Sequence, residues 1–159
     1  MSDVTIDAEA FRRALGALPT GVTVVTAHGE TGLSGATANA VCSLSLEPML
    51  MLACLDRGSR TLRSLEHAGR FGINVLASDG EEMARRFAGK QPEQDKWEGV
   101  GMVERHDIPL LDSALLWVAC ALDQVIEAGD HVIVTGSVLD LVERGGEPLV
   151  FHRGIYRGL

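Results

Sequence analysis

Hydrophobic and polar positions alternate along much of this chain at the period of a β-strand. The clearest case is residues 34–48, SGATANAVCSLSLEP, where small or apolar side chains at even positions alternate with largely polar ones. This period of two predicts a single strand. Its first half is unusual because strands packed on a core normally carry branched or aromatic side chains, and residues 36–40 are small. We therefore expect these residues to leave room for another group.

The same patterns predict the other elements of the chain. Further strands are predicted at 21–27, 49–55, 70–76, 113–127, 131–142 and 148–156. Short helices are predicted at 8–18, 59–67 and 81–88, with Asp7 and Ser59 as N-caps and Ser78 to Glu81 as a capping box. Residues 90–109 show no strong pattern and are predicted to form a loop. Because the strands follow one another at hairpin spacing, the sequence favours an antiparallel barrel with helical additions.

Length and charge limit the class of protein. The 159 residues are expected to form one domain, 1–159. A net charge of -8 argues against broad binding to nucleic acid or to anionic lipid. No apolar run is long enough to span a membrane and the amino terminus has no signal pattern, so we expect a cytoplasmic protein. Cys42, Cys54 and Cys120 are expected to be reduced, mostly buried thiols, and the five histidines lack metal-ligand spacing, so no metal is expected.

The segment 56–64, DRGSRTLRS, is the first candidate for chemistry. If Ser59 caps a helix, the free N–H groups of the first turn lie beside the hydroxyls of Ser59 and Thr61 and the guanidinium of Arg60, a set that suits a phosphate. Arg57, Arg60 and Arg63 together form a small positive region on an acidic protein. An ordinary capped helix with solvated arginines is the alternative.

The small residues at 36–40 are the second candidate. They would let a flat ring approach the backbone, whose N–H and C=O groups could pair with a heterocycle, and Thr37, Asn39 and Ser43 add polar side chains. A tightly packed barrel strand is the alternative.

His131 in a turn and His152 near a strand end could bind a ligand, although lone histidines are more often structural. Motifs of serine hydrolases, Rossmann folds and phosphate-binding loops are absent from the sequence.

Seven segments in order resemble one known family. PTGVTVVTA, GATANAVCSLSLEP, MLACLDRGSRT, FGINVLAS, RRFAGK, AGDHVIVTGSV and PLVFHRGIY are similar to the short-chain flavin reductases of two-component flavin-dependent monooxygenases, over about residues 11–156. The resemblance implies a mainly β fold, the FMN-binding split barrel, which is a Greek-key antiparallel β-barrel with a few short helices. It also implies a homodimer, an oxygenase as partner, and NADH or NADPH as the reductant of FMN or FAD.

The resemblance also implies site residues. Those carried over to the flavin ring are Val22, Thr23, Thr37, Ala38, Asn39 and Ser43. Those carried over to its phosphate and the neighbouring loop are Ser59, Arg60, Thr61, Arg86, Phe87 and Lys90. Those on the nicotinamide side are Asp130, His131, His152 and Tyr156. Ile155 stands where the family often has arginine, which leaves open whether NADH or NADPH is used. Two alternatives are a flavin-dependent enzyme of the same barrel acting on its own substrate, and a non-catalytic flavin-binding protein.

Overall fold

The computed structural model describes residues 6–159. Its helices are α1 (Ala8–Leu15), α2 (Arg60–Ala68), α3 (Glu81–Ala88) and α4 (Glu93–Trp97). Its strands are β1 (Thr20–Gly21), β2 (Thr23–Gly29), β3 (Gly32–Ala38), β4 (Val41–Leu46), β5 (Met49–Asp56), β6 (Arg70–Val75), β7 (Met102–Arg105), β8 (Ile108–Leu111), β9 (Leu116–Ala128), β10 (His131–Glu143), β11 (Leu149–His152) and β12 (Ile155–Gly158).

Seven strands form one curled antiparallel sheet in the order β3-β2-β6-β9-β10-β5-β4. β3 and β4 lie at its two opposite edges, yet only Asn39 and Ala40 separate them along the chain. The sheet must therefore curl until its edges approach each other, and the N–H of Cys54 in β5 donates to the carbonyl of Ala40 at 2.9 Å. The predicted antiparallel barrel is confirmed.

The prediction of one strand over residues 34–48 is wrong. β3 pairs with β2, β4 pairs with β5, and the chain changes partner at Asn39 and Ala40. The alternation of side chains runs through this break because each strand keeps a period of two, so the pattern cannot reveal a change of partner. In the same way the predicted strands 21–27 and 148–156 are each divided, into β1 and β2 and into β11 and β12.

The predicted helices are largely confirmed, with differences at their ends. Asp7 and Ser59 are N-caps, and their side chains accept from the N–H groups of Ala10 and Leu62. α1 ends at Leu15 rather than residue 18. The predicted capping box at α3 is wrong, since Gly80 is the N-cap and no side chain caps it.

The segment 90–109 is not a loop, contrary to the prediction. It contains α4, β7 and the start of β8. α4 is barely more than one turn, too short to show a helical period. β8 is buried at every position, so it shows no alternation either.

Buried side chains fill the barrel and the space beneath the helices. Phe71, Ile73 and Val134 lie inside the barrel with Leu62 and Leu65 of α2. A second cluster, between the barrel and α3 and α4, contains the following buried residues: Val22, Val24, Leu76, Ala84, Phe87, Trp97, Leu111, Ala114 and Leu149. The barrel thus holds α2, α3 and α4 against its β2–β3 side.

The three cysteines are free thiols, as predicted, but they differ in exposure. Cys120 is buried, Cys54 is partly buried and Cys42 is exposed, so the expectation of burial is wrong for Cys42. Burial raises the pKa of the Cys120 thiol to about 12, which keeps this thiol protonated and unreactive at neutral pH.

Candidate functional site

A cleft of about 500 Å³ lies between the outer edge of β3, the N-terminus of α2 and the loop after α3. Its lining residues are Ala36, Thr37, Asp56, Gly58, Ser59, Arg60, Thr61, Phe87, Ala88, Gly89, Lys90, Glu93 and Lys96. Six of the site residues predicted from the sequence therefore lie together: Thr37, Ser59, Arg60, Thr61, Phe87 and Lys90. The small-residue strand and the helix start border one concave surface.

The N-terminus of α2 supplies hydrogen-bond donors to this cleft. The Ser59 hydroxyl accepts from the N–H of Leu62 at 3.4 Å, and a helix leaves its first N–H groups, here those of Arg60 and Thr61, without internal partners. The Thr61 hydroxyl is buried and lies 2.9 Å from the hydroxyl of Ser34. This hydroxyl therefore fastens α2 to β3, while the cap and the first-turn backbone remain for a ligand.

Arg60 connects α2 to the loop before α4. Its Nε lies 3.3 Å from Oε1 of Glu93, and its Nη2 donates to the carbonyl of Gln91 at 2.6 Å and to that of Lys90 at 3.3 Å. Its Nη1 makes no hydrogen bond within residues 6–159. Two of the three guanidinium nitrogens thus fix the side chain, and the third can donate to an anion.

Glu93 and Lys96 are site residues that the sequence reasoning missed. The Lys96 side chain is 5% exposed, and its Nζ lies 3.2 Å from Oε1 of Glu93 and donates to the Gly35 carbonyl at 3.2 Å. Oε2 of Glu93 accepts from the N–H of Gly35 at 3.0 Å. Both belong to the segment read as a loop, and their role depends on a strand distant in sequence, so no local pattern could have identified them.

Thr37 presents backbone groups to the cleft. The N–H of Gly35 donates to Glu93 and its C=O accepts from Lys96, so neither group bonds to β2. Along an antiparallel strand, the backbone N–H and C=O groups of successive residues alternately point toward the partner strand and away from it. Thr37, two residues later, therefore also turns its N–H and C=O away from β2. Its hydroxyl donates to the carbonyl of Ala84 in α3 at 2.6 Å.

Phe87 forms part of the wall behind β3. It is 1% exposed, and its ring meets that of Trp97 edge to face, with centroids 5.1 Å apart. A Cβ on Gly35 would lie 2.6 Å from the Phe87 ring. The glycine therefore lets helix α3 approach the strand closely, and this approach shapes the cleft.

The other predicted flavin residues do not line this cleft. Val22 is fully buried, Ala38 is in the core, and the Thr23 hydroxyl donates to the Ala38 carbonyl at 2.6 Å. Asn39, between β3 and β4, is partly exposed, and Ser43, within β4, is exposed. Arg86 pairs with Glu82 at 3.1 Å and donates to the Glu98 carbonyl.

Asp130 and His131 lie at the turn between β9 and β10 and do not line the cleft, although Asp56, which lies opposite His131, does. In the antiparallel pairing of β10 with β5, the backbone of His131 lies opposite that of Asp56. The N–H of Arg57 donates to the Asp130 carbonyl at 3.0 Å. Nδ1 of His131 lies 2.7 Å from Oδ1 of Asp130. This hydrogen bond, with the nearby charges of His131 and Arg12, lowers the pKa of the Asp130 carboxyl.

His152 and Tyr156 lie elsewhere, on β11 and β12. Tyr156 packs against Phe151, and the guanidinium of Arg85 in α3 lies 5.0 Å from the centre of its ring. Burial raises the pKa of the Tyr156 hydroxyl, although the charge of Arg85 opposes this. The structure does not bring this pair into the cleft that contains Thr37 and Arg60.

Residues 6–159 contain no group of three or more histidine, cysteine or acidic side chains that could hold a metal ion. They also contain no helix of the length and hydropathy needed to span a bilayer.

Comparison with known proteins identifies the class. The model of the flavin reductase like domain family matches residues 15–159. An NADH-dependent flavin reductase of a Rhodococcus species is 38% identical over 152 residues, which are 94% of this chain and 85% of that protein. A relative from Rhizobium meliloti (strain 1021) is 40% identical over 98% of this chain, but the chain spans only 50% of its length.

A solved structure agrees with the sequence matches. The flavin reductase component of a bacterial two-component tryptophan halogenase superposes with a TM-score of 0.89 at 35% identity, over 96% of this chain and 98% of that one. The chain belongs to the flavin reductase like family. The family and the split-barrel fold predicted from the sequence are confirmed.

The cleft fits the phosphate end of a flavin. The Ser59 cap, the first-turn N–H groups of α2, Nη1 of Arg60 and the Lys90 ammonium are all donors with capacity for an anion, and Lys90 makes no ion pair within the described residues. The free N–H and C=O of Thr37 match the alternating donors and acceptors on the edge of a flavin ring. The cleft therefore offers donors to the flavin phosphate at the start of α2 and a donor and an acceptor to the flavin ring at Thr37.

Proposed function

We propose that this chain is an NADH-dependent flavin reductase that delivers reduced flavin to a separate oxygenase component. The observation that carries the proposal is the single cleft that joins the Thr37 edge of β3 to the N-terminus of α2 in a chain of the flavin reductase like family. Relatives named as NADH-dependent flavin reductase and as a reductase component support the reductant and the type of partner.

The roles of the residues follow from their positions. When bound, the flavin accepts a hydride from NADH. Thr37 orients the ring through its backbone, while Ser59, the start of α2, Arg60 and Lys90 hold the phosphate. The Asp130–His131 turn is proposed to receive NADH because His131 lies opposite Asp56, which lines the cleft. A hydride passes between two bound molecules without a protein base, so the contribution of the protein is proximity and orientation.

A turnover assay tests this function directly. The purified protein with NADH and either FMN or FAD is expected to oxidise NADH at about 1 to 1000 per second, the ordinary range for enzymes. The absorbance of NADH is followed, with the same mixture lacking protein as the control. A rate equal to that of this control would contradict the proposed function. Tight flavin binding without turnover would instead indicate a non-catalytic flavin-binding protein.

We also propose that the chain forms a homodimer through β4 and the adjacent part of β10. β4 is an edge strand, and Leu46 at its end and Met49 at the start of β5 are 88% and 57% exposed. The register pairs Ser137 of β10 with Leu50 of β5, so Leu139, which is also exposed, lies near the β4–β5 turn. Exposed apolar side chains grouped at one edge of a sheet are typical of a protein interface.

Sedimentation is expected to give a mass near twice the 17.0 kDa of the chain. Leu46→Glu places a charge on this apolar surface and is expected to shift the protein toward the monomer. Met102→Glu is the matched control, because Met102 is an exposed apolar residue on the separate β7–β8 sheet. A monomeric unmodified chain, or equal dissociation of both variants, would contradict the proposed interface.

A further inference from the structure

The turn between β9 and β10 lies at the end of a strand that has only one partner strand there. β9 pairs with β6 as far as Ala121, and residues 124–128 pair with β10 alone. Residues 123–131 are all exposed, so burial does little to fix this end of the hairpin. The position of the turn therefore depends on the bonds that other segments of the chain make to it.

Arg57 makes such bonds at three points. Its Nη2 donates to the Gly129 carbonyl at 2.7 Å and forms an ion pair with the Glu127 carboxylate. Its backbone N–H donates to the Asp130 carbonyl at 3.0 Å. Within residues 6–159, every hydrogen bond and ion pair between residues 127–130 and a segment outside the hairpin comes from Arg57.

Arg57 also stands between two residues of the flavin cleft. Asp56 before it and Gly58 after it both line the cleft. Asp56 fixes the shape of this segment, because its Oδ1 accepts from the N–H of Gly58 at 2.7 Å and its carbonyl accepts from the N–H of Ser59 at 2.9 Å. One short segment therefore carries the Ser59 cap and, through Arg57, holds the β9–β10 turn.

The ion pair of Arg57 is too exposed to add much to the stability of the fold. The side chains of Arg57 and Glu127 are 57% and 67% exposed, and exposed ion pairs contribute little to stability. A planar guanidinium can nevertheless bond to a carbonyl and a carboxylate in one fixed geometry, which the flexible ammonium group of a lysine cannot reproduce. These properties suit a residue that holds a position.

We propose that Arg57 is a positioning residue for NADH, which holds the Asp130–His131 turn at the distance from the flavin cleft that hydride transfer requires. The inference rests on the proposed function, in which this turn receives NADH. Arg57 does not line the cleft, so it acts through the turn and not by contact with the flavin. Without its side chain the turn would have to be ordered when NADH binds, which costs binding free energy.

Steady-state kinetics with NADH as the varied substrate test the inference. Arg57→Ala is expected to raise the KM for NADH by about 3- to 10-fold, the worth of about one hydrogen bond. The kcat is expected to change by less than about twofold, because the ground state and the transition state lose the same interaction. The flavin affinity and the midpoint of thermal unfolding, measured on the same preparation, are expected to stay close to those of the unmodified protein.

Two further variants separate geometry from charge. Arg57→Lys keeps the positive charge without the planar guanidinium, so it is expected to recover only part of the affinity for NADH. Glu127→Gln removes the carboxylate and leaves the bond to the Gly129 carbonyl, so its KM for NADH is expected to rise less than that of Arg57→Ala. Arg105→Ala is the matched control, since it removes an exposed arginine of β7 that lines neither the cleft nor the neighbouring cavity.

Three results would overturn the inference. An unchanged KM for NADH in Arg57→Ala would mean that NADH binding does not depend on this side chain. An equal weakening of flavin binding would mean that Arg57 acts on the cleft at Ser59. A fall in the unfolding midpoint in step with the rise in KM would assign Arg57 a structural role. Absence of NADH oxidation by the unmodified protein is a different result, since it would remove the proposed function and the role of Arg57 with it.

Discussion

Replacing Arg60 with alanine is expected to weaken FMN binding by about 10- to 50-fold, within the range for hydrogen bonds to a charged group after allowance for solvent screening. The side chain is 40% exposed, and its Nη1 is the guanidinium nitrogen that remains free to donate. The substitution also removes the hydrogen bonds to the carbonyls of Lys90 and Gln91, so the loop that carries Lys90 loses an anchor.

Riboflavin distinguishes a phosphate contact from general damage to the cleft. It lacks the phosphate, so its affinity is expected to change little in Arg60→Ala. Arg57→Ala is a suitable control variant, because Arg57 is an exposed arginine near the start of α2 that pairs with Glu127 and does not line the cleft. Titrations of FMN and of riboflavin into the unmodified protein and into both variants measure the two affinities. Equal losses for FMN and riboflavin would show that Arg60 does not bind the phosphate.

Replacing Lys96 with methionine is expected to lower the free energy of unfolding by about 2 to 4 kcal/mol, because it leaves the largely buried Glu93 carboxylate with Arg60 as its remaining counter-charge. The variant also removes the donor to the Gly35 carbonyl. Urea unfolding of the flavin-free protein gives the change. Lys90→Met is the matched control: Lys90 is the only other lysine, it is exposed, and its loss is expected to cost less than about 0.5 kcal/mol.

A double variant shows whether the charge is responsible. Glu93→Gln together with Lys96→Met removes both members of the buried pair and keeps an oxygen that can accept from the Gly35 N–H. Since removing both charges of a buried pair is often nearly neutral, this protein is expected to recover much of the stability lost in Lys96→Met. If the two substitutions instead add their losses, the contribution of Lys96 lies in its packing rather than in its charge.

The sequence predicted the features that depend on neighbouring residues. Ser59 caps α2 because a serine before an amphipathic segment can bond to the backbone three residues ahead, and this signal is entirely local. The turn between the strands predicted at 113–127 and 131–142 is likewise local, because it contains Gly129 and Asp130. Since these local features position Ser59 and Arg60, the phosphate end of the candidate site could be predicted without the structure.

Features that depend on contacts between distant segments could not be predicted in this way. Glu93 and Lys96 matter because they bind Gly35, about sixty residues earlier in the chain. The sequence did not reveal that β3 pairs with β2 while β4 pairs with β5, because the alternation of side chains is the same whichever strand is the partner. For Val22, Thr23 and Ala38 the family resemblance supplied the assignment, and their roles stay predictions because their side chains lie in the core.

The contacts of Glu93 and Lys96 with Gly35 also bear on aggregation. An open strand edge is a template on which another chain can add a strand, and proteins commonly protect such edges with charged side chains. At Gly35 the N–H and the C=O of edge strand β3 are both occupied by charged side chains. An incoming strand would therefore have to displace a largely buried carboxylate and a buried ammonium group before it could pair there. The protein can thus keep the Thr37 segment of this edge accessible to a small ligand without offering the whole edge to other polypeptides.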